Sequence, residues 1–299
     1  MKVPRCLLPA IFLGVLSFTI TGCGATALEQ RAVKNYDQAS SAYGDLVEND
    51  IFNIITGMIV IESTILALNP EQHIERDPTI SLLSDLRFAS RLSAGVLRLN
   101  GQVVVALLES DRPFLNWYFK EFAAALRVAE TRLPGVVLPF DSQQIKRMEE
   151  FDAAALSNEE LREKLIRELS EFHPPAIEKM KSWMQQVGRT YFVTMREARN
   201  RSYSILTDSN QSLLNRLAAS EKHARAIEMS LAFESFVEKH DKTMHEFSQA
   251  TTEVLKAVKD PHYTTEDLKA LLVRLEQLLK HIEQTASIAK RIAALLVVF

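Results

Sequence analysis

The sequence predicts an all-α protein, an elongated bundle of about seven or eight helices, several of them long and antiparallel. Three observations point there. Only nine glycines and ten prolines punctuate 299 residues, too few turn formers for a β-rich chain, while Ala, Leu, Glu and Arg are abundant. The prolines fall at a few well-separated places with capping residues beside them. Apolar side chains recur at alternating spacings of three and four over long stretches, the period of a helix packed on its neighbours.

Taken in order, the first helix runs from Leu28 to Leu68 and is ended by Asn69-Pro70. At about 1.5 Å per residue it makes a rod of roughly 60 Å. Its second half, Ile51 to Leu68, is apolar nearly all round, with Ile54, Ile55, Met58, Ile61 and Ile65 among its residues. That length touches the lower limit for a membrane span. Glu62 near its middle would cost roughly 3 kcal/mol at the bilayer centre, so burial inside the protein is the expectation. A polar connection from Asn69 to Asp77-Pro78 leads to Thr79, which can cap a second helix running to about Ser110. The apolar run Gly101 to Leu108 in that helix is expected to pack beside 51–68 if the two helices are antiparallel.

Asp111 and Pro113 open a third helix rich in aromatics, in which Phe114, Trp117, Tyr118 and Phe122 fall on one side and are expected to anchor it in a core. The segment from Leu133 to Ser142, with Pro134, Gly135 and Pro139, is the clearest irregular break. It separates an N-terminal helical half (23–133) from a C-terminal half (143–299), with 134–142 as linker. Two shorter helices are expected next, Gln143–Leu156 and Asn158–Phe172, the second opened by Ser157 with Glu160 three residues on. His173-Pro174-Pro175 should stop it. A sixth helix from Ala176 to about Leu206 leads through Thr207–Asn210 into a seventh that reaches Val258. The last starts after Pro261, with Thr264 and Asp267 as a capping pair.

The last helix carries the cleanest periodicity: Leu268, Leu271, Leu275, Leu278, Ile282, Thr285, Ala289, Ile292 and Leu296 form a heptad seam, broadened by Leu272, Leu279, Ala286 and Ala293. A widened stripe buries more than one neighbour, which favours packing inside a bundle over a two-stranded coil. The preceding helix offers a matching seam through Phe233, Val237, His240, Met244, Phe247, Thr251, Val254 and Val258. The connection between them is short, so the two should form a long antiparallel hairpin.

Residue types with chemical potential do not assemble into a signature. His245-Glu246 begins an H-E-x-x-H zinc pattern, but the fifth position is Gln249. Glu234, Glu238, Asp241 and His245 share a face beside the apolar seam, where charged residues keep a helix soluble. His240 falls within the seam and reads as a core histidine with a hydrogen-bond partner. No phosphate-binding glycine loop and no G-x-S-x-G elbow occur. Lys179, Lys181, Arg189, Arg196, Arg199 and Arg201 outnumber the acids of the sixth helix and interleave with Trp183, Tyr191, Phe192 and Tyr203. Arg196, Arg199 and Arg201 are the candidate contact surface for an acidic partner or anionic lipid.

The N-terminus carries Lys2 and Arg5, then an apolar run from Leu7 to Ile20, too short and wrongly flanked for a stable span. It ends in Ile20-Thr21-Gly22-Cys23: an aliphatic residue, two small ones, then cysteine. This resembles the lipobox of bacterial lipoproteins. The resemblance implies removal of residues 1–22 as a signal peptide, attachment of diacylglycerol to the Cys23 thiol, and N-acylation of its new amino group. It also implies a cell-envelope location. In a host with two membranes, Gly24 in place of Asp directs the product to the outer membrane, facing the periplasm. Both cysteines of the chain are then committed, Cys6 to the signal and Cys23 to lipid, so no thiol is left for a disulfide, zinc ligand or nucleophile. Losing Lys2 and Arg5 takes the formal charge from −3 to −5, which leaves no general nucleic-acid footprint.

The functional expectation is a lipid-anchored, non-enzymatic helical scaffold that needs no cofactor and binds the membrane through its anchor and an envelope protein through its helices. A second reading is a membrane-active protein that resembles α-helical pore-forming toxins in its long helices and apolar 51–68 segment, and a third is an enzyme whose site is assembled from distant residues and leaves no local signature.

Overall fold

A computed structural model describes residues 26–68, 73–109, 111–132, 141–260 and 263–297. The signal segment, Cys23 and most of the 134–142 linker lie outside the described residues. Seven helices and no strand are found among those described. Helix α1 runs continuously through Ala27–Asp45, a π-helical stretch Leu46–Ile51, and Phe52–Leu68. Then follow α2 (His73–Glu109), α3 (Arg112–Arg132), α4 (Ser142–Glu149), α5 (Asn158–Thr207), α6 (Leu213–Lys259) and α7 (Thr265–Val297).

The starts of these helices follow from local chemistry. Thr26 with Glu29, Asp141 with Gln144, and Ser157 with Glu160 form reciprocal capping boxes, each satisfying two amides that the first turn leaves without partners. Thr264 and Asp267 do the same for α7. The Asp111 carboxylate accepts from the amide of Phe114 at the start of α3.

Three boundaries differ from the sequence expectation. Helix α2 begins at His73 and carries Pro78 inside it, where a missing N–H costs one bond near a helix end. Helix α4 stops at Glu149 rather than near Leu156. Residues 150–157 instead form a turn held from α3: the Asn116 side chain accepts from the amide of Ala153 at 2.6 Å, and Arg112 donates to the carbonyls of Ala153 and Leu156. Phe151 is thereby buried against Phe119, their rings 4.2 Å apart. The largest difference is at His173-Pro174-Pro175, which stops nothing: α5 is a single helix of 50 residues. The two prolines free the carbonyls of Ser170 and Glu171, and both residues face water, which supplies replacement bonds. On the other side, Phe172, His173, Ala176 and Ile177 are buried, and His173 Nδ1 lies 3.2 Å from Asn100 Nδ2 on α2. Packing on the inner side outweighs two lost bonds on the outer side.

Helix directions follow from the pairings. Helix α2 is antiparallel to α1, because Gly44 lies against Ala94 and Arg98 while Gly101 lies against Asp37 and Ser40. A Cβ at Gly101 would sit 2.6 Å from Asp37 Cα, so glycine is what lets these backbones meet. Helix α7 runs parallel to α1, with Arg31 paired to Glu276 at one end and Gly57 against Leu296 at the other. Helix α6 is antiparallel to α7, with Glu253 paired to Arg274 and Glu228 to Arg291. Helices α5 and α6 form a second antiparallel hairpin, in which the Tyr191 hydroxyl donates to the carbonyl of Met229 and Ser202 meets His223.

One hydrophobic core joins helices from both sides of the 134–142 segment. The nine seam positions of α7, Leu268 through Leu296, are all buried, and α7 packs against both α1 and α6. The 51–68 segment is core: Ile51, Ile54, Ile55, Met58, Ile61 and Ile65 are buried. So is Glu62, whose carboxylate accepts from the Thr194 hydroxyl at 2.6 Å. By length and composition, Ala27–Ala67 and Pro78–Glu109 could each cross a membrane; in this fold they pack on each other. In α3 the aromatic expectation is half met. Tyr118 and Phe122 are buried and stacked, but Trp117 is 58% exposed and Phe119 occupies the core instead, because the turn at Phe151 covers that flank.

Candidate functional site

Two places combine chemical groups with a defined geometry: a polar seam inside the bundle and the distal end of the α5–α6 hairpin. The polar seam lies between α1, α2, α5 and α6. The Tyr36 hydroxyl is 2.8 Å from Thr251 Oγ1, and the Tyr43 hydroxyl 3.3 Å from His240 Nε2. Burial pushes His240 and His173 down to about 4, so both imidazoles are neutral at pH 7. The same burial raises the Tyr36 and Tyr43 hydroxyls. Beside His240 lies a cavity of about 20 Å³ lined by Val47, Ile51, Ser90, Ser93 and Trp183 among others. That is room for about one water molecule. Both serine hydroxyls there donate to carbonyls of their own helix. The lining is mainly apolar, and His240, fully buried and paired with Tyr43, sits there as the core histidine its seam position implies.

The outward acidic face of α6 behaves as read from sequence: Glu234, Glu238, Asp241 and His245 are exposed, and Gln249 bonds His245 rather than completing a metal set. Among the described residues no three His, Cys, Asp or Glu side chains converge on a common point.

The hairpin end is different. Among the described residues, α5 is bonded to α1 through Thr194 and Glu62; beyond that point α5 meets α6, where Ser202 and the Arg199 carbonyl reach His223 and the Tyr203 ring lies tilted beside the same imidazole. From Thr194 to Thr207 the helix advances about 20 Å. Arg196 and Arg199 are exposed there and Arg201 is half-buried, so the three do not form one continuous surface. Next to them Tyr203 is exposed, and on α6 Leu213, Leu214 and Leu217 are 65%, 80% and 60% exposed. Sequence reasoning passed over these leucines. The signal was available, since Leu213, Leu217, Ile227 and Leu231 keep helical spacing, but it is read only once the buried face of α6 is known to lie elsewhere.

The start of α1 and the hairpin end sit at opposite ends of the bundle. Helices α1 and α5 run in the same direction, as Glu62–Thr194 and the shared cavity lining of Val47 and Ile55 with Met180 and Val187 require. From Ala27 to Glu62 is about 50 Å and the hairpin adds about 20 Å. The end therefore stands roughly 70 Å along the axis from the first described residues. Compared with known proteins, the chain matches no protein-family model, no curated protein and no solved structure.

Proposed function

We propose that the mature chain is a lipid-anchored, non-enzymatic binding module of the cell envelope that presents its distal hairpin to an envelope protein. The anchor is the lipidated Cys23, and in a host with two membranes the module stands on the outer membrane and faces the periplasm. The observation that carries the reading is the placement of an exposed basic and apolar hairpin end about 70 Å from the end that would be tethered. Exposed cations at Arg196 and Arg199, with the exposed ring of Tyr203 on the same face of α5, mark a contact site for a protein with an acidic rim.

Two measurements test it. Cys23→Ser is expected to abolish lipid labelling and leave an unprocessed precursor. Reversing Arg196 and Arg199 to Glu is expected to leave helicity and melting intact while reducing crosslinks to the partner in native cells. Undiminished crosslinking by the reversed protein overturns the reading. Permeabilisation of liposomes by unlipidated protein at low concentration would instead support the membrane-active alternative built on residues 51–68.

A further inference from the structure

Helix α6 has two apolar faces. At about 100° per residue, Ala219, Ala226, Met229 and Phe233 lie on the side that faces α5 and the core, and all four are buried. Leu213, Leu217, Ser220, Ala224, Ile227 and Leu231 lie on the opposite side, within about 40° of one line, at spacings of four, three, four, three and four. All six are exposed, Ile227 at 41% and Leu231 at 62%. Below Leu231 the same line turns polar, through Glu238, Lys242 and Gln249. The apolar stretch is thus bounded, and it has the period that packs against another helix rather than the period of scattered surface residues.

We propose that this stripe pairs two copies of the chain as a parallel, in-register two-stranded coiled coil along the distal part of α6. Charge decides the occupant and the direction. Arg216 and His223 flank the stripe on one side, and Glu221 and Glu228 on the other. In a parallel in-register pair, each flanking residue meets the partner's residue five positions further along. Arg216 then meets the partner's Glu221. An antiparallel pair centred on the stripe would set Glu221 beside the partner's Glu221, a like-charge contact.

Glu221 and Glu228 already hold Arg225 and Arg291 at the surface, so a second cation extends a network rather than breaking one. Ser220 and Ala224 at the centre are small enough for the two backbones to approach. Parallel pairing also sets both α1 starts at the same end, as two anchors in one membrane require. That last point rests on the anchored reading; the charge argument does not.

The test uses residues 24–299, which hold every described helix and no cysteine. Ser220→Cys, under mild oxidation, is expected to give a disulfide-linked dimer, because in-register pairing brings position 220 against its own copy; Ser204→Cys on α5 is the control expected to stay monomeric. By sedimentation, the unmodified protein is expected to dimerise in the micromolar range. Arg216→Glu should weaken that by about tenfold, since two symmetry-related pairs are lost together. Adding Glu221→Arg to Arg216→Glu should restore it, with helicity unchanged throughout. A protein that stays monomeric at roughly a hundred times that concentration and forms no dimer through position 220 overturns the proposal. So does a double reversal that fails to restore pairing, or a monomer whose stripe binds anionic vesicles instead. None of these assays involves lipid on Cys23 or an envelope partner, so failure here leaves the anchored binding module standing.

Discussion

Helix α7 and the distal half of α6 carry the same pattern and meet opposite fates. On α7 the heptad positions from Leu268 to Leu296 are all buried, because α1 lies along one flank and α6 along the other. On α6 the positions from Leu213 to Leu231 keep the same spacing and face solvent. Both helices are equally able to bury a stripe; what differs is the number of neighbours within reach. Heptad spacing records a capacity for burial, and the surrounding helices decide whether it is used inside the chain or left for a partner.

Truncation should separate the two stripes most sharply. Leu275→Ala, at a position with no solvent exposure, is expected to cost about 2–5 kcal/mol, read as a fall of several degrees in the thermal midpoint. A midpoint that does not move would mean α7 is not core. Next comes pH. His173 and His240 are held neutral by burial, with pKa values near 4 against an ordinary 6.5. The unfolded chain therefore binds more protons below pH 6.5, so stability is complete above that value and declines as pH falls towards 4. At pH 5 the loss is about 2 kcal/mol per histidine. Denaturant unfolding at pH 7 and pH 5 checks this, and the decline should flatten in a His173→Gln, His240→Gln double variant; an equal decline there assigns the effect to other groups.

Gly101→Ala should cost about 1–3 kcal/mol, since its methyl group would meet the α1 backbone at Asp37; unchanged unfolding would show that α1 and α2 are free to separate. The smallest effect belongs to the exposed stripe. Leu217→Ser is expected to change monomer stability by no more than about 0.5 kcal/mol, and a loss comparable to that of Leu275→Ala would place Leu217 in the core.

Much of the fold was legible because its signals are local. Capping at Ser157–Glu160 and Thr264–Asp267, the break after Leu68, the α7 seam and the burial of His240 each depend on residues within a turn or two of one another, or on a period repeated along one helix. The early end of α4 was not legible, because Arg112 and Asn116 stabilise the following turn from about 40 residues away in sequence. Trp117 and Phe119 exchanged places for the same reason. At the hairpin end, the basic residues were found from composition, but the leucines beside them were not, since only the direction of the α6 core face shows that they point outward.

The amino-acid order by itself determined that this chain is helical, where most helices start, and which stripes are able to pack, because hydrogen bonds in caps and side-chain spacing on a helix act over a few residues. Tertiary structure decided that α5 continues through Pro174 and Pro175, that Glu62 is buried against Thr194, and that the α6 stripe from Leu213 to Leu231 faces out. Those outcomes depend on which surfaces from distant parts of the chain come to lie together, and burial of one face outweighs a local preference on another.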